Sequence, residues 1–321
     1  MELIHKDYVN VRGFNYMPSY SFVLNDVMDS FNEQTWDREF GYACELNANS
    51  LRIWVSSVSF HRNPKRFISS FQTVLALAEK RGLSILPTLY NRWVDTLYPF
   101  GQLDLAHVIA PQPPGNEHVK YVTQMVSAFR SDRRILMWDL CNEPYCFDNI
   151  EEGNFKDELK CRETVFWKMV ISAARDAQPS QPLTMGTCGA VDHNAMEVYD
   201  LEDVISMHPY AGWWNDDYEK EVDTHIKFAN EKGKPLICTE TCQGSLDDAV
   251  RQECITRSLG ILKRKGIGWY AWQLCAGEMV SSRRDRTDAN AKPGDRGYMC
   301  FVLEDGTVRP GHSIVRELNK L

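Results

Sequence analysis

The chain has 321 residues, 43% of them hydrophobic and 25% charged, and a formal net charge of −8. That acidic balance argues against a nucleic-acid partner, because phosphate binding needs clustered Lys and Arg to release counterions. No run approaches the about 18 consecutive apolar residues of a bilayer span, and the polar start MELIHKDYVNV has no signal-peptide core, so a cytoplasmic protein without a membrane partner is expected.

From the N-terminus, a β-rich run at 9–16 is followed by a helical pattern at 35–46, and a second run at 50–55 by a helix at 64–81. In that helix Phe67, Ile68, Phe71, Val74, Leu75 and Ala78 keep the i, i+3, i+4, i+7 spacing of one buried face, Pro64 opens it and Gly82 stops it. The alternation continues with strands at 83–90, 135–140, 183–187, 204–207, 235–239 and 268–274. The helices between and after them are expected at 117–130, 158–177, 190–199, 218–232, 246–265 and 311–321. Eight strand–helix repeats without a linker or a break in composition predict one α/β domain over 1–321, a single (β/α)8 TIM barrel. An open doubly wound sheet would need a glycine fingerprint after the first strand, and RGFNYMPSY carries no G-x-G-x-x-G. The long connections at 91–116, 145–157 and 275–312 all fall on the face where barrel strands end and active sites are built.

Of ten cysteines, Cys141, Cys238 and Cys300 lie in apolar runs, where a thiol acts as a small hydrophobe, and Cys238 and Cys242 do not have zinc-site spacing. No metal and no cofactor are expected.

The strongest chemical signal is LMWDLCNEPY at 136–145, an apolar strand that ends in Asn142-Glu143-Pro144. An ionisable side chain at the tip of a barrel strand, stiffened by the following proline, projects into the cleft. The segment resembles, position by position, the active-site signature of family 5 glycoside hydrolases, and more widely that of clan A. The resemblance implies a second glutamate at the end of the seventh strand, and PLICTETCQG supplies Glu240 there. Glycosidic cleavage needs such a pair: one carboxylic acid protonates the leaving oxygen while the other carboxylate meets the oxocarbenium-like carbon. The resemblance implies a reaction that retains configuration, with Glu143 as acid/base and Glu240 as nucleophile.

The resemblance also gives roles to neighbours. Arg52 would hold the nucleophile ionised, Asn142 would contact the sugar 2-hydroxyl, His208 would face the acid/base, Tyr210 the nucleophile, and Trp272 would form the sugar platform. Weaker subsite candidates are Asn15 and Tyr16 after the first strand, Tyr90, Asn91 and Trp93 after the third, and Trp213 and Trp214 after the sixth. Arg283, Arg284 and Arg286 in the last long loop form a cationic cluster suited to a carboxylated sugar. The expected partner is a carbohydrate, a short oligosaccharide or β-glycoside such as a β-mannoside, β-glucoside, β-galactoside or β-xyloside. Two other readings compete: a barrel that binds carbohydrate without cleaving it, and a metal-dependent hydrolase using His208. The second has no H-x-H or H-E-x-x-H spacing among the eight histidines. The sequence sets no oligomeric state.

Overall fold

Eight apolar strands, each followed by a stretch with one buried helical face, have a way to bury every sheet edge: closure. In the computed structural model, which describes residues 7–92, 116–145, 150–188, 191, 195–210, 217–279 and 298–321, they close. Strands β1 (Arg12–Tyr16), β2 (Ser50–Trp54), β3 (Ser84–Thr88), β4 (Trp138–Asn142), β5 (Leu183–Cys188), β6 (Ile205–His208), β7 (Leu236–Thr241) and β8 (Trp269–Ala271) follow one another around a parallel barrel. β1 pairs with β8 to complete it, so no strand edge is left open. The protein is a single (β/α)8 TIM barrel.

Most predicted helices form with local signals that explain their ends, while the one expected at 190–199 is shorter and later, Met196–Leu201. Asn63 accepts from the backbone N–H of Arg66 and Pro64 occupies the first turn of Pro64–Lys80; Asp247 caps Asp248–Lys265 through the N–H groups of Ala249 and Val250. Gly233 ends Tyr218–Lys232 in the left-handed region, at φ 64°, where a side chain would be strained. The predicted face of the second helix is buried at Phe67, Phe71, Val74, Leu75 and Ala78, with Ile68 at its margin. Each of Phe67, Phe71, Val74 and Leu75 contributes about 1.5–3 kcal/mol over an exposed side chain. Two short helices, Asp26–Asp29 and Ser57–Arg62, were not foreseen, and the last expected helix is a 3₁₀ turn, His312–Ile314, running into Val315–Leu318. No helix among the described residues is long and apolar enough to cross a membrane.

The barrel interior is layered. Val11, Leu86, Met137, Val204, Ile237 and Tyr270 form an apolar floor, separate from the large cluster that packs strands against helices. Above it, buried Asn15, Arg52, Thr88, Asp139, Ser206 and Thr239 are polar. Low-dielectric surroundings oblige such groups to satisfy one another, so they form a network rather than a fluid interior.

Two strands depart from regular pairing at equivalent places. On β4, Asp139 pairs with Thr184 and Asn142 with Gly186, so three steps oppose two; on β7, Cys238 pairs with Trp269 and Thr241 with Ala271, again three against two. An inserted residue re-aims the side chains beyond it. Glu143 directly follows the first irregularity and Glu240 lies within the second. β4 begins at Trp138 rather than 135 because Ile135 makes only an isolated bridge, to Ile85, and it continues to Asn142.

Candidate active site

The re-aimed ends of β4 and β7 bring Glu143 and Glu240 to one pocket. Each is largely buried, at 7% and 5% exposure, and an oxygen of one lies within 4.8 Å of an oxygen of the other. Glu143 itself sits at φ 50°, a conformation that side-chain-bearing residues adopt at a cost and that is concentrated at functional sites.

Their surroundings differ. Arg52 Nη1 donates to Glu240 Oε1 at 2.8 Å and the Tyr210 hydroxyl donates to Oε2 at 2.6 Å. Burial pushes the Tyr210 hydroxyl well above its ordinary range, so it remains a donor. Glu240 titrates above the ordinary carboxylate range: burial raises it most and the charge of Glu143 adds to this, against His208, Arg52 and the Tyr210 bond.

Glu143 Oε1 lies 3.0 Å from His208 Nδ1, and the other ring nitrogen, Nε2, lies 2.8 Å from Thr239 Oγ1. Thr239 Oγ1 in turn contacts Ser206 Oγ. Burial pushes the His208 imidazolium down to about 4, so at neutral pH the ring is neutral and carries one proton. That proton must lie on whichever nitrogen suits Glu143. With Glu143 protonated, Nδ1 accepts and Nε2–H donates to Thr239; with Glu143 ionised, the roles reverse.

The remaining candidates separate cleanly. Asn142 donates from Nδ2 to Asn91 Oδ1 at 3.0 Å and accepts from Arg52 at 2.8 Å, so both its amide ends are fixed at the pocket wall. Asn15, fully buried, accepts from Arg52 Nη1 and donates to the Thr239 carbonyl. It positions Arg52 rather than lining a subsite. Trp272, 8% exposed, packs edge-on against Trp54 with Met17 and Leu24 beside them. Tyr16 and Tyr90 are corrections: they lie in the layer between sheet and helices, outside the cleft. The Tyr16 hydroxyl donates to Glu39 and its ring packs on Trp36 and Phe40, while Tyr90 contacts His118, Tyr121 and Phe166. The physical reason is alternation, since neighbours on a strand point to opposite faces and Asn15 and Asn91 take the inward positions. Trp93, Trp213, Trp214, Arg283, Arg284 and Arg286 lie outside the described residues.

Glu143, His208 and Glu240 also form, among the described residues, the one trio whose donor atoms are close enough to share a cation. Their present bonds oppose it. Arg52 already places a positive charge on Glu240, and Tyr210 occupies its second oxygen.

Residues 6–278 match the model of the cellulase family, glycosyl hydrolase family 5. The chain belongs to family 5. A curated relative, β-glucuronidase of Sus scrofa, is 20% identical over 183 residues, which is 57% of this chain and 24% of that protein. Among solved structures, the exo-β-1,4-mannosidase from Opitutaceae bacterium strain TAV5 superposes with a TM-score of 0.75 at 16% identity, covering 99% of this chain and 62% of that one. Bacteroides uniformis β-glucuronidase gives 0.72 at 15% over 97% of this chain and 35% of its own. The GH5_18 protein from Streptomyces cattleya in complex with GlcNAc gives 0.71 at 14%, covering 95% and 78%. At these identities the likeness is one of fold. This family 5 chain thus spans about a quarter of the glucuronidase of Sus scrofa and under two thirds of the mannosidase.

Besides Thr239, three further residues not singled out in the sequence support this family 5 site. Arg251, fully buried, donates to the carbonyls of Cys242, Gln243, Trp272 and Met299, clasping the segments that follow Glu240 and that carry Trp272. Asp139 holds Arg52 from the side opposite Glu240. Gly186, on β5, leaves the space that His208 and Arg52 need: a Cβ there would lie 2.6 Å from His208 Nε2 and 3.1 Å from Arg52 Nη2. Both neighbours are held by several bonds and cannot retreat freely. Gly186→Ala should therefore leave the barrel folded, at an overpacking cost of about 1–3 kcal/mol, while displacing the partners of both glutamates. A loss of about 100-fold in kcat/KM is expected, the usual effect of a misplacement near 1 Å. Steady-state kinetics beside a thermal melt checks this; near-normal turnover would contradict it.

Proposed function

We propose that the protein is a retaining β-glycoside hydrolase, with Glu240 as nucleophile and Glu143 as acid/base. The observation that carries this reading is the facing carboxylate pair, an oxygen of each within 4.8 Å of the other, with Glu240 receiving a guanidinium and a phenol donor. Retaining enzymes hold their two carboxyl groups about 5–5.5 Å apart, whereas inverting ones leave about 6.5–9.5 Å for a water molecule.

In the first step an oxygen of Glu240 attacks the anomeric carbon as the bond to the leaving oxygen breaks. Glu143 gives that oxygen its proton, so an alcohol departs and a glycosyl ester remains on Glu240. His208, neutral, keeps its contact with Glu143 and takes no proton from it. In the second step water attacks the same carbon, Glu143 takes its proton, and Glu240 leaves as carboxylate. Arg52 and Tyr210 stabilise the charge on Glu240 at both ends of the cycle. In this scheme Asn142, clamped by Arg52 and Asn91, meets the sugar 2-hydroxyl, and Trp272 carries the ring face.

The substrate class we favour is a short β-glycoside cleaved from its end; one structural neighbour is named an exo-β-1,4-mannosidase and another a β-glucuronidase. A panel of aryl β-mannoside, glucoside, galactoside, xyloside and glucuronide tests this, with the two glutamate variants as blanks. Hydrolysis of at least one member is expected. Tight saccharide binding without turnover of any would instead favour a barrel that binds carbohydrate and does not cleave it.

A further inference from the structure

The catalytic glutamates share their pocket with a third carboxylate that the reaction scheme leaves unused. Asp139 is fully buried on β4, and all four of its contacts are donors: Arg52 Nε at 2.9 Å, Arg52 Nη2 at 2.7 Å and Thr88 Oγ1 at 2.9 Å on Oδ2, and the Gly186 N–H at 3.2 Å on Oδ1. The guanidinium and amide N–H groups can only donate, so Asp139 meets them as an acceptor through both of its oxygens.

A guanidinium has five N–H groups, and Arg52 uses all five. Two go to Asp139, one each to Asn15, Asn142 and Glu240. The fork is therefore fixed in rotation, and the single cation is divided between two carboxylates, both within 2.8 Å of a guanidinium nitrogen. Coulomb attraction in this buried setting is strong, so how the cation is divided decides how basic each anion remains.

We infer that Asp139 is a positioning residue for the nucleophile: by taking two guanidinium bonds it aims Nη1 at Glu240 and withholds part of the positive charge from it. This rests on the reading of Glu240 as nucleophile. A carboxylate facing an undivided arginine would be a weaker base and a poorer attacker; one with no arginine would take up a proton in so buried a place. Sharing keeps Glu240 between those limits. Burial is the largest single effect on Arg52 and lowers it, but the charges and hydrogen bonds of Asp139 and Glu240 together outweigh it and hold Arg52 above its ordinary value.

The test reads the Glu240 carboxyl directly, in full-length protein labelled with ¹³C-glutamate, with Glu240→Gln used to assign the resonance. Asp139→Asn leaves the cation to Glu240, and the Glu240 midpoint should fall by about one pH unit or more. Thr88→Val removes a donor from Asp139, which then competes harder for Arg52, and the Glu240 midpoint should rise by a few tenths. The acid limb of kcat/KM should move with each. A Glu240 midpoint that is unchanged or raised in Asp139→Asn overturns the inference, even if activity falls, because loss of structural support alone would not lower it. If Asp139→Asn does not fold, Thr88→Val decides, and an unchanged or lowered midpoint overturns it. The resonance titrates whether or not the protein turns over a glycoside, so failure of the hydrolase reading would be seen separately.

Discussion

Glu240→Gly should lose at least about four orders of magnitude in turnover, the scale on which removal of a nucleophile is felt when the rest of the site is intact. Added azide should restore part of it. The variant leaves a space beside the anomeric carbon, lined by Arg52 and Tyr210, both donors to an anion. Azide bound there attacks the carbon from the side Glu240 used, and the product is the α-glycosyl azide, because a single displacement inverts. Calorimetry should show unchanged substrate binding within a few fold, since Glu240 binds the transition state more than the sugar. In the wild type, activity should fall on the acid side as Glu240 takes up a proton. Because burial raises Glu240, that fall is centred above the ordinary carboxylate value of about 4.3. The nucleophile works ionised, so activity is present above the raised value and lost below it. An acid limb at or under the ordinary value would contradict this.

Glu143→Gln should separate the two halves of the cycle. On a substrate with a poor leaving group, turnover should fall about 10²–10⁴-fold, the usual contribution of a general acid. On a dinitrophenyl glycoside, whose leaving group needs no proton, the first step should be nearly unaffected. The second step still lacks its base, so the glycosyl-enzyme accumulates and a burst of phenolate precedes a slow steady state. The alkaline limb of the pH profile should also disappear, because it reports loss of the proton that Glu143 donates. His208 does not substitute for that proton: it is neutral through the working range, with its imidazolium held down to about 4. Equal losses on both leaving groups would contradict the assignment.

Periodicity carried the architecture. Each of the eight strands was visible as a short apolar run because both faces of a parallel barrel strand are buried, and the helices because one face of each is. What periodicity does not encode is the added residue in β4 and in β7, which is a matter of pairing between strands; yet it is this that turns Glu143 and Glu240 toward each other. The motif supplied those two residues without the geometry. Nearness to a strand end does not suffice to place Tyr16 and Tyr90 in the site, because alternation allows only one of two adjacent residues to face inward, and Asn15 and Asn91 hold those places.

Asp139 does carry a signal in the sequence. It is a charge inside the apolar run LMWDLC, and a charge buried there must find a partner. Arg52, likewise set in the apolar strand SLRIW, was the available one. Gly186 and Thr239 had none, because the demand for a small residue or a hydroxyl arises from a neighbour on another strand. Arg251 lies on a helix, and nothing in the local sequence marks the four carbonyls it gathers.

The most direct test of a covalent double displacement through Glu143 and Glu240 is the configuration of the first-formed product, followed by proton NMR during hydrolysis of whichever aryl β-glycoside is cleaved fastest. The β-anomer should appear first, with the α-anomer growing in only as the free sugar mutarotates. Initial release of the α-anomer would mean a single displacement by water, and the roles given to the two glutamates would be wrong.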